Sequence, residues 1–421
     1  MKKKIHRIIT LLVGMAVLFA ITGCSNNPQS NNQNNALPNT NQSTVTLQNL
    51  VKGNEIVNQA KLKYESIDIP KDYPSVASIA VSGSVIFFSS GSDRPSKNTV
   101  PCLTYIEKLF SYDYENKVLK TFAEIDNSFV QIDWVNVNDN WIVYREIEEE
   151  FDGPVRVYAI NRKTNEKKIV YEENGCTDCE GVLRYNSLSS LVLYKDFLAI
   201  ARYSFEPTER DKEGKIIDGV AHNSVDLINL NSGNIKTIFK KDSSFKVNGS
   251  IMSLTANASY LAFNYAKNGV QDIYVYDYLS DKLTDLLSVP LAKDASGSPN
   301  YIATKVLLTE DDNIIFDYPI DSNQNKFVKV IAPVSNMQNM KYFTDTTDEF
   351  YFTFPQTESK GYVVWLNRHN DTLNVLNRNT GIVKTCFVKD PLALGYIYLR
   401  DDMLFGAGKS LIILDLKENG F

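Results

Sequence analysis

Histidine and tryptophan are scarce in this chain, three of each among 421 residues. The apolar run from Ile8 to Ile21 holds only 14 residues. At 1.5 Å per residue it is too short for a ~30 Å hydrocarbon core. No amphipathic helix longer than about two turns can be traced from Val76 to Phe421, and no Gly-x-Ser-x-Gly elbow is present. An excess of basic charge is missing too. The formal net charge is −6, and Lys2, Lys3, Lys4 and Arg7 contribute +4 of the positive side, so the remainder carries −10. Such a body is a poor general ligand for nucleic acid, which rewards clustered lysine and arginine. Hydrophobic residues at 43% and charged residues at 22% exclude a collagen-like, wholly disordered or polytopic membrane protein. What is plentiful is Tyr (23) and Phe (21), a composition that leans toward β structure.

The first 24 residues have three parts: the positive Lys2–Arg7 stretch, the apolar run, and Ile21-Thr22-Gly23-Cys24. The last four resemble the bacterial lipobox. That resemblance implies cleavage before Cys24 and a diacylglyceryl group, often with an N-acyl chain, on the new N-terminal cysteine. Two or more acyl chains suffice for stable anchoring where one does not. Residues 24–44 continue as an Asn/Gln/Ser-rich stretch with no charge and little that could be buried, which reads as a disordered tether. Residues 1–23 are thus expected to be a lipoprotein signal peptide, and 45–421 a folded body held at the extracytoplasmic face of the cell membrane.

Within that body one unit recurs: an alternating apolar strand, an Asp or Asn, a few polar turn residues, then a second short strand. Its marker residue falls at Asp113, Asn161, Asn229, Asp277, Asn377 and Asp415, with a degenerate copy at Ala332. In chain order the markers are 48, 68, 48, 55, 45 and 38 residues apart. Further strands such as Trp141-Ile-Val-Tyr144 and Tyr260-Leu-Ala-Phe-Asn-Tyr265 precede them. Four strands in ~40–50 residues is the period of a propeller blade. Residues 253–285, with Leu261-Ala-Phe263 and Asp272-Ile-Tyr-Val-Tyr-Asp277, resemble a TolB-type or WD40-like propeller repeat. The expected fold is therefore all-β, a propeller of four-stranded blades, seven in number. The last unit runs out of chain after its third strand. The segment from Gln59 to Ile69 is expected to supply the fourth and close the ring.

The remaining motifs are weak. Gly408-Lys409-Ser410 ends like a phosphate loop, but Met403 stands where the first glycine belongs and a strand follows, so it reads as a turn. Asp321-Ser-Asn323-Gln-Asn325 starts like a calcium loop, but Lys326 takes the glycine position. Cys176-Thr-Asp-Cys179 has too few further ligands for zinc, because only Cys102, Cys386, His222 and His369 remain after processing. A local disulfide, a bridge from either cysteine to Cys102, and unpaired thiols stay open. No metal or other cofactor is expected. Three long connections between second and third strands, 90–107, 146–154 and 205–223, would lie side by side at one rim. Loops on a rigid scaffold are where binding concentrates. Arg94, Glu148, Glu149, Arg210 and His222 are the candidate contact residues. The function expected is a binding or scaffolding module for an envelope protein or a polar polymer. The alternative is a propeller enzyme, a glycosidase, lyase or peptidase-associated protein, with carboxylates near its channel.

Overall fold

The computed structural model describes residues 50–53, 55–92, 105–125, 129–148, 154–174, 186–244, 249–291, 305–321, 326–344, 353–359, 361–367, 371–388 and 394–421. They form seven four-stranded antiparallel sheets arranged as a β-propeller, with no α-helix among the described residues. Blades 1 to 6 comprise residues 75–124, 131–173, 186–244, 250–290, 306–344 and 353–387. Blade 7 takes 394–415 and completes itself with 65–68.

The recurring Asp or Asn has a direct physical role. It ends the third strand, and its side-chain oxygen accepts the backbone N–H groups two and three residues on. Asp113, Asn161, Asn229, Asp277 and Asn377 all do so at 2.8–3.2 Å. Asp415 caps the N–H of Glu418 in the same way. Four residues after the first five markers the chain turns left-handed, at Lys117, Asn165, Gly233, Asp281 and Gly381, with φ between 54° and 76°. A short acceptor that bonds its own backbone is what such a turn needs. Ala332 lacks that acceptor. Blade 5 accordingly takes a longer connection between Lys326–Pro333 and Lys341–Thr344, in which Asn336 caps Gln338.

Each sheet is apolar on both faces, and one apolar cluster fills each seam between neighbouring blades. All seven residues of Trp141–Ile147 are buried. Strands buried on both faces read as continuous apolar runs rather than clean alternation. A polar tie crosses every seam as well. The innermost strands of blades 1, 3 and 4 each carry a β-bulge, after which Ser78, Ser190 or Ser253 accepts a backbone N–H of the next blade's innermost strand at 3.0–3.2 Å. Thr357 does the same for Leu399 between blades 6 and 7. Elsewhere the tight turns make the link: Trp141 Nε1 donates to Asp196 at 2.8 Å, Arg378 grips Asp311 at 2.6 Å, and Arg400 donates to the Gly83 carbonyl. The paired carboxylates Asp311-Asp312 and Asp401-Asp402 belong to this belt: Asp312 accepts Asn257 and Ser259, and the Asp401 N–H donates to Ser359 of blade 6 at 2.9 Å, while Asp402 pairs with Lys417 within blade 7.

The ring closes as the sequence predicts, through a shorter segment. Glu65–Asp68 (β3) pairs antiparallel with Ser410–Asp415, while Gln59–Lys61 is a single 3₁₀ turn. Two further strands precede it. Leu50–Lys52 (β1) adds in parallel to the outer strand of blade 5, and Glu55–Val57 (β2) adds in parallel to that of blade 6. The N-terminal strap thus crosses three consecutive blades. Lys384 pairs with Glu55 at 2.9 Å, Leu62 is buried in the seam between blades 6 and 7, and Asn419 bonds both backbone groups of Lys63. Phe421 is buried in that same seam.

One expectation is corrected. Residues 205–223 are not an irregular loop. Phe197–Arg210 and Ile216–Asn229 pair along almost their whole length, with the turn confined to 211–215. Alternation persists here in Tyr203, Phe205, Ile216 and Ala221, and this small apolar cluster lets the hairpin continue past the blade core. Gly219 is required at its side: a Cβ there would lie 2.2 Å from the Phe205 ring and 2.6 Å from the Glu206 carbonyl oxygen. Of the other two long connections, 93–104 and 149–153 lie outside the described residues. Met403–Gly408 and Ser410–Asp415 form a hairpin across Lys409, as the turn reading of that glycine run expects.

Deleting residues 57–69 removes the fourth strand of blade 7 and leaves the edge of Ser410–Asp415 unpaired. The expected result is aggregation and a broad, poorly cooperative unfolding transition. Calorimetry with light scattering checks this, and a sharp transition near that of the intact chain would contradict strap closure.

Candidate functional site

The overlong hairpin of blade 3 builds the most distinctive polar surface among the described residues. Along Phe197–Arg210, Leu198 and Ile200 face blade 2 in the apolar seam. The same face then continues as Arg202, Ser204 and Glu206. On the partner strand, Ile228 belongs to the seam, and Asp226, Ser224 and His222 follow on the same side. Thr237 and Lys240 extend this face onto the outer strand, Ile235–Ser244. Period-2 alternation thus carries a polar row beyond the apolar seam with blade 2. The result is an open trough of about 490 Å³ lined by polar and charged residues together with their aliphatic stems.

Its floor is held by a buried network. Asp226 is 3% exposed and accepts Thr237 Oγ1 at 2.6 Å and Arg202 Nη1 at 3.2 Å. Arg202 Nε donates to the Tyr171 hydroxyl of blade 2 at 3.1 Å, and Tyr171 donates in turn to Glu173. Burial holds the Tyr171 hydroxyl well above the ordinary phenol range, so it stays protonated as a donor. Asn223 reaches past the sheet to the Gly249 carbonyl at 2.9 Å. At the upper edge His222 stands between two carboxylates, with Nδ1 2.8 Å from Asp242 and Nε2 3.5 Å from Glu206.

Of the residues singled out from sequence, His222 lines the trough and Arg210 stands at the hairpin end, donating to the Gly214 carbonyl at 2.8 Å. Glu148 is described at the end of its strand, where its N–H bonds the Pro154 carbonyl at 3.1 Å. Arg94, Glu149, Cys24, Cys102, Cys176 and Cys179 lie outside the described residues. Cys386 is a buried free thiol, pushed up to about 11 by burial. Arg202, Ser224, Asp226, Thr237 and Lys240 were not singled out because they sit in strands that read as blade core. The signal that could have found them is the polar alternation running on through Arg202, Ser204 and Glu206 after Leu198 and Ile200.

Other buried charges serve the seams. Arg145 forks onto Asp133 at 2.6 and 2.7 Å, and its guanidinium lies 3.3 Å from the Trp134 ring centre. Trp134 adopts φ 48°, a left-handed conformation rare for a bulky side chain, at the bulge of its strand. Lys329 and Asp317 pair at 2.7 Å inside blade 5, and burial pulls the lysine below its ordinary range. Glu358 is 8% exposed between blades 5 and 6. Burial first, then Glu310, pushes its carboxyl up to about 8, opposed by Arg378, whose Nη1 is 4.0 Å away. This is a carboxyl enclosed by the turn belt rather than one lining the trough. Among the described residues no group of three His, Cys, Asp or Glu side chains is placed to hold a metal ion. No helix among them is long and apolar enough to cross a membrane.

The architecture defines a class, the seven-bladed β-propellers. No protein-family model and no curated protein sequence matches the chain. Solved structures do. A prolyl endopeptidase shares 11% identity at a TM-score of 0.53, over 79% of this chain and 46% of its own. The acylaminoacyl peptidase of Pyrococcus horikoshii shares 11% at 0.50, over 81% of this chain and 49% of its own. TolB from Acinetobacter baumannii shares 13% at 0.38, over 66% and 62%. At these identities the likeness is one of fold.

Glu358 sets a pH dependence. The folded protein keeps a proton that the unfolded chain releases near 4.5, so stability falls as pH rises from there towards about 8. Glu358→Gln should remove that slope and gain roughly 1–3 kcal/mol above pH 8, with little change at pH 5. Denaturant unfolding at the two pH values reads this out. Identical slopes for both proteins would refute it.

Proposed function

We propose that this protein is a lipid-anchored, extracytoplasmic β-propeller that acts as a binding or scaffolding module for an envelope protein or a polar polymer, and that the blade 3 trough is its contact surface. The observation that carries the reading is the polar face of the overlong hairpin. The hairpin has its own apolar backing in Tyr203, Phe205, Ile216 and Ala221, so it is built as a rigid projection. Charged and hydroxyl side chains line its other side. A lipid or apolar ligand would find little to bury there, whereas a polar chain would find donors and acceptors along three strands. The lipobox-like Ile21-Thr22-Gly23-Cys24 and the uncharged stretch after it support attachment at the outer face of a membrane.

The enzyme reading has one observation in its favour, His222 at the edge of the trough between Asp242 and Glu206. Turnover of a polymer by the purified protein, abolished in His222→Ala, would replace binding by catalysis.

Anchoring and binding are tested separately. Cys24→Ala should abolish labelling by a radioactive fatty acid and release the protein or leave its precursor uncleaved. Equal labelling of both forms would sink the anchor. Replacing residues 203–223 with a two-residue turn, which removes Ser204, Glu206 and His222 from the trough, should abolish capture of the partner from native envelopes while shifting Tm by only a few degrees, because the projection lies outside the blade seams. Undiminished capture by the folded variant would move the contact surface elsewhere.

A further inference from the structure

The trough contains three strands in register, and one row across them is unlike the rest. Arg202 pairs with Ser224, and Ser224 pairs with Lys240. All three line the same cavity. Adjacent strands lie about 4.8 Å apart, so the row sets an arginine and a lysine on either side of a serine, their backbones roughly 10 Å apart.

Charge in the trough is mixed, so the question is which groups are already satisfied. Both oxygens of Asp226 are engaged, one by Thr237 and one by Arg202. Asp242 is engaged by His222 Nδ1 at 2.8 Å, whereas Glu206, 3.5 Å from Nε2 and mostly exposed, remains open to solvent. Arg202 spends Nε on Tyr171 and Nη1 on Asp226, and its side chain is 40% exposed. Its Nη2 edge, the Lys240 ammonium and the Ser224 hydroxyl have no partner among the described residues. The unspent capacity of this row is therefore donor capacity, two of its three sources being cationic, while Ser204, Glu206 and Asp242 offer acceptors further out. An oxyanion accepts from such a row: a planar fork edge, a hydroxyl and an ammonium match the oxygens of a carboxylate or phosphate.

We propose that Arg202, Ser224 and Lys240 form a subsite for an oxyanion, a carboxylate or phosphate group carried by the bound chain. This rests on the trough being the contact surface. Arg202 is pre-positioned by Tyr171 and Asp226, so little side-chain freedom is lost when the anion arrives. Lys240 supplies the adjustable second cation. Asp242, one row further out, and Glu206, two rows out, oppose general attraction of negative charge and restrict the site to a group that reaches the row itself. The contact is ionic and partly exposed, so it weakens as salt rises.

The test titrates the full chain in detergent with inorganic phosphate, poly-L-glutamate and neutral dextran, at low and high salt. Binding of phosphate or polyglutamate, and not of dextran, is expected, and the stronger of the two identifies the source of the oxyanion. Lys240→Ala should weaken that binding about tenfold, which corresponds to about 1.4 kcal/mol, and Lys240→Arg should restore most of it. Lys282→Ala, an exposed cation on the outer strand of blade 4, should leave it unchanged. Equal losses for Lys240→Ala and Lys282→Ala would reduce the effect to general charge and overturn the subsite, as would binding of dextran alone. The two readings fail differently. If the protein with 203–223 replaced loses envelope capture while Lys240→Ala keeps both capture and anion binding, the subsite is wrong and the surface stands. If the hairpin replacement also captures normally, the surface itself is wrong.

Discussion

A blade of this protein has two apolar faces and no way to bury either by itself. The rest of the structure follows from that constraint. Val143, Val157 and Ala159 of blade 2 meet Leu198 and Ile200 of blade 3, while Ile142, Tyr144 and Ile160, on the opposite face, meet Phe87 and Leu109 of blade 1. Each well-buried aliphatic or aromatic side chain contributes roughly 1.5–3 kcal/mol, but only when the neighbouring blade is present. A linear stack would leave two faces bare, and a closed ring leaves none. Closure then falls to the strap. β3 completes blade 7, and β1 and β2 add themselves outside blades 5 and 6.

Apolar seams set proximity, and polar ties set register. A sheet sliding past its neighbour would lose little hydrophobic area. It would, however, strip Val306 of its acceptor on Ser253 and Leu254 of its acceptor on Ser190. A buried N–H left without a partner costs about 1–3 kcal/mol. The bulge before each of these serines turns a hydroxyl toward the next blade at the crowded innermost strand. Further out the belt of turns repeats the device with longer side chains, Arg378 on Asp311 and Trp141 on Asp196.

The trough exists because the long hairpin of blade 3 carries its blade 2-facing side past the apolar seam. Within the seam that face is Leu198 and Ile200. Past it the same face is Arg202, which meets Tyr171 of blade 2, then Ser204 and Glu206. Fold and site are therefore one pair of strands read at two heights. The opposite face carries its own small core in Phe205 and Ile216, so the projection holds its shape without a second sheet. A rigid polar surface is what binding with little loss of conformational freedom requires.

Sequence alone determined the local events. Asp113, Asn161, Asn229, Asp277, Asn377 and Asp415 mark turns because a short side-chain acceptor bonds backbone amides two or three residues away, and that chemistry needs no tertiary partner. Their spacing carries the blade count, and the missing last strand carries the closure. Tertiary structure alone decided what depends on neighbours distant in the chain. Phe205 to Asn223 looks like a polar loop along the chain, and its pairing is visible only when Tyr203, Phe205 and Ile216 meet. Ser78, Ser190 and Ser253 are ordinary small residues until the next blade brings an unpaired N–H to each. Arg202 and Lys240 stand 38 positions apart and become neighbours across Ser224 because two hairpins fix their register. A turn is written in four residues, but a seam or a binding row is written in strands that only the closed ring places side by side.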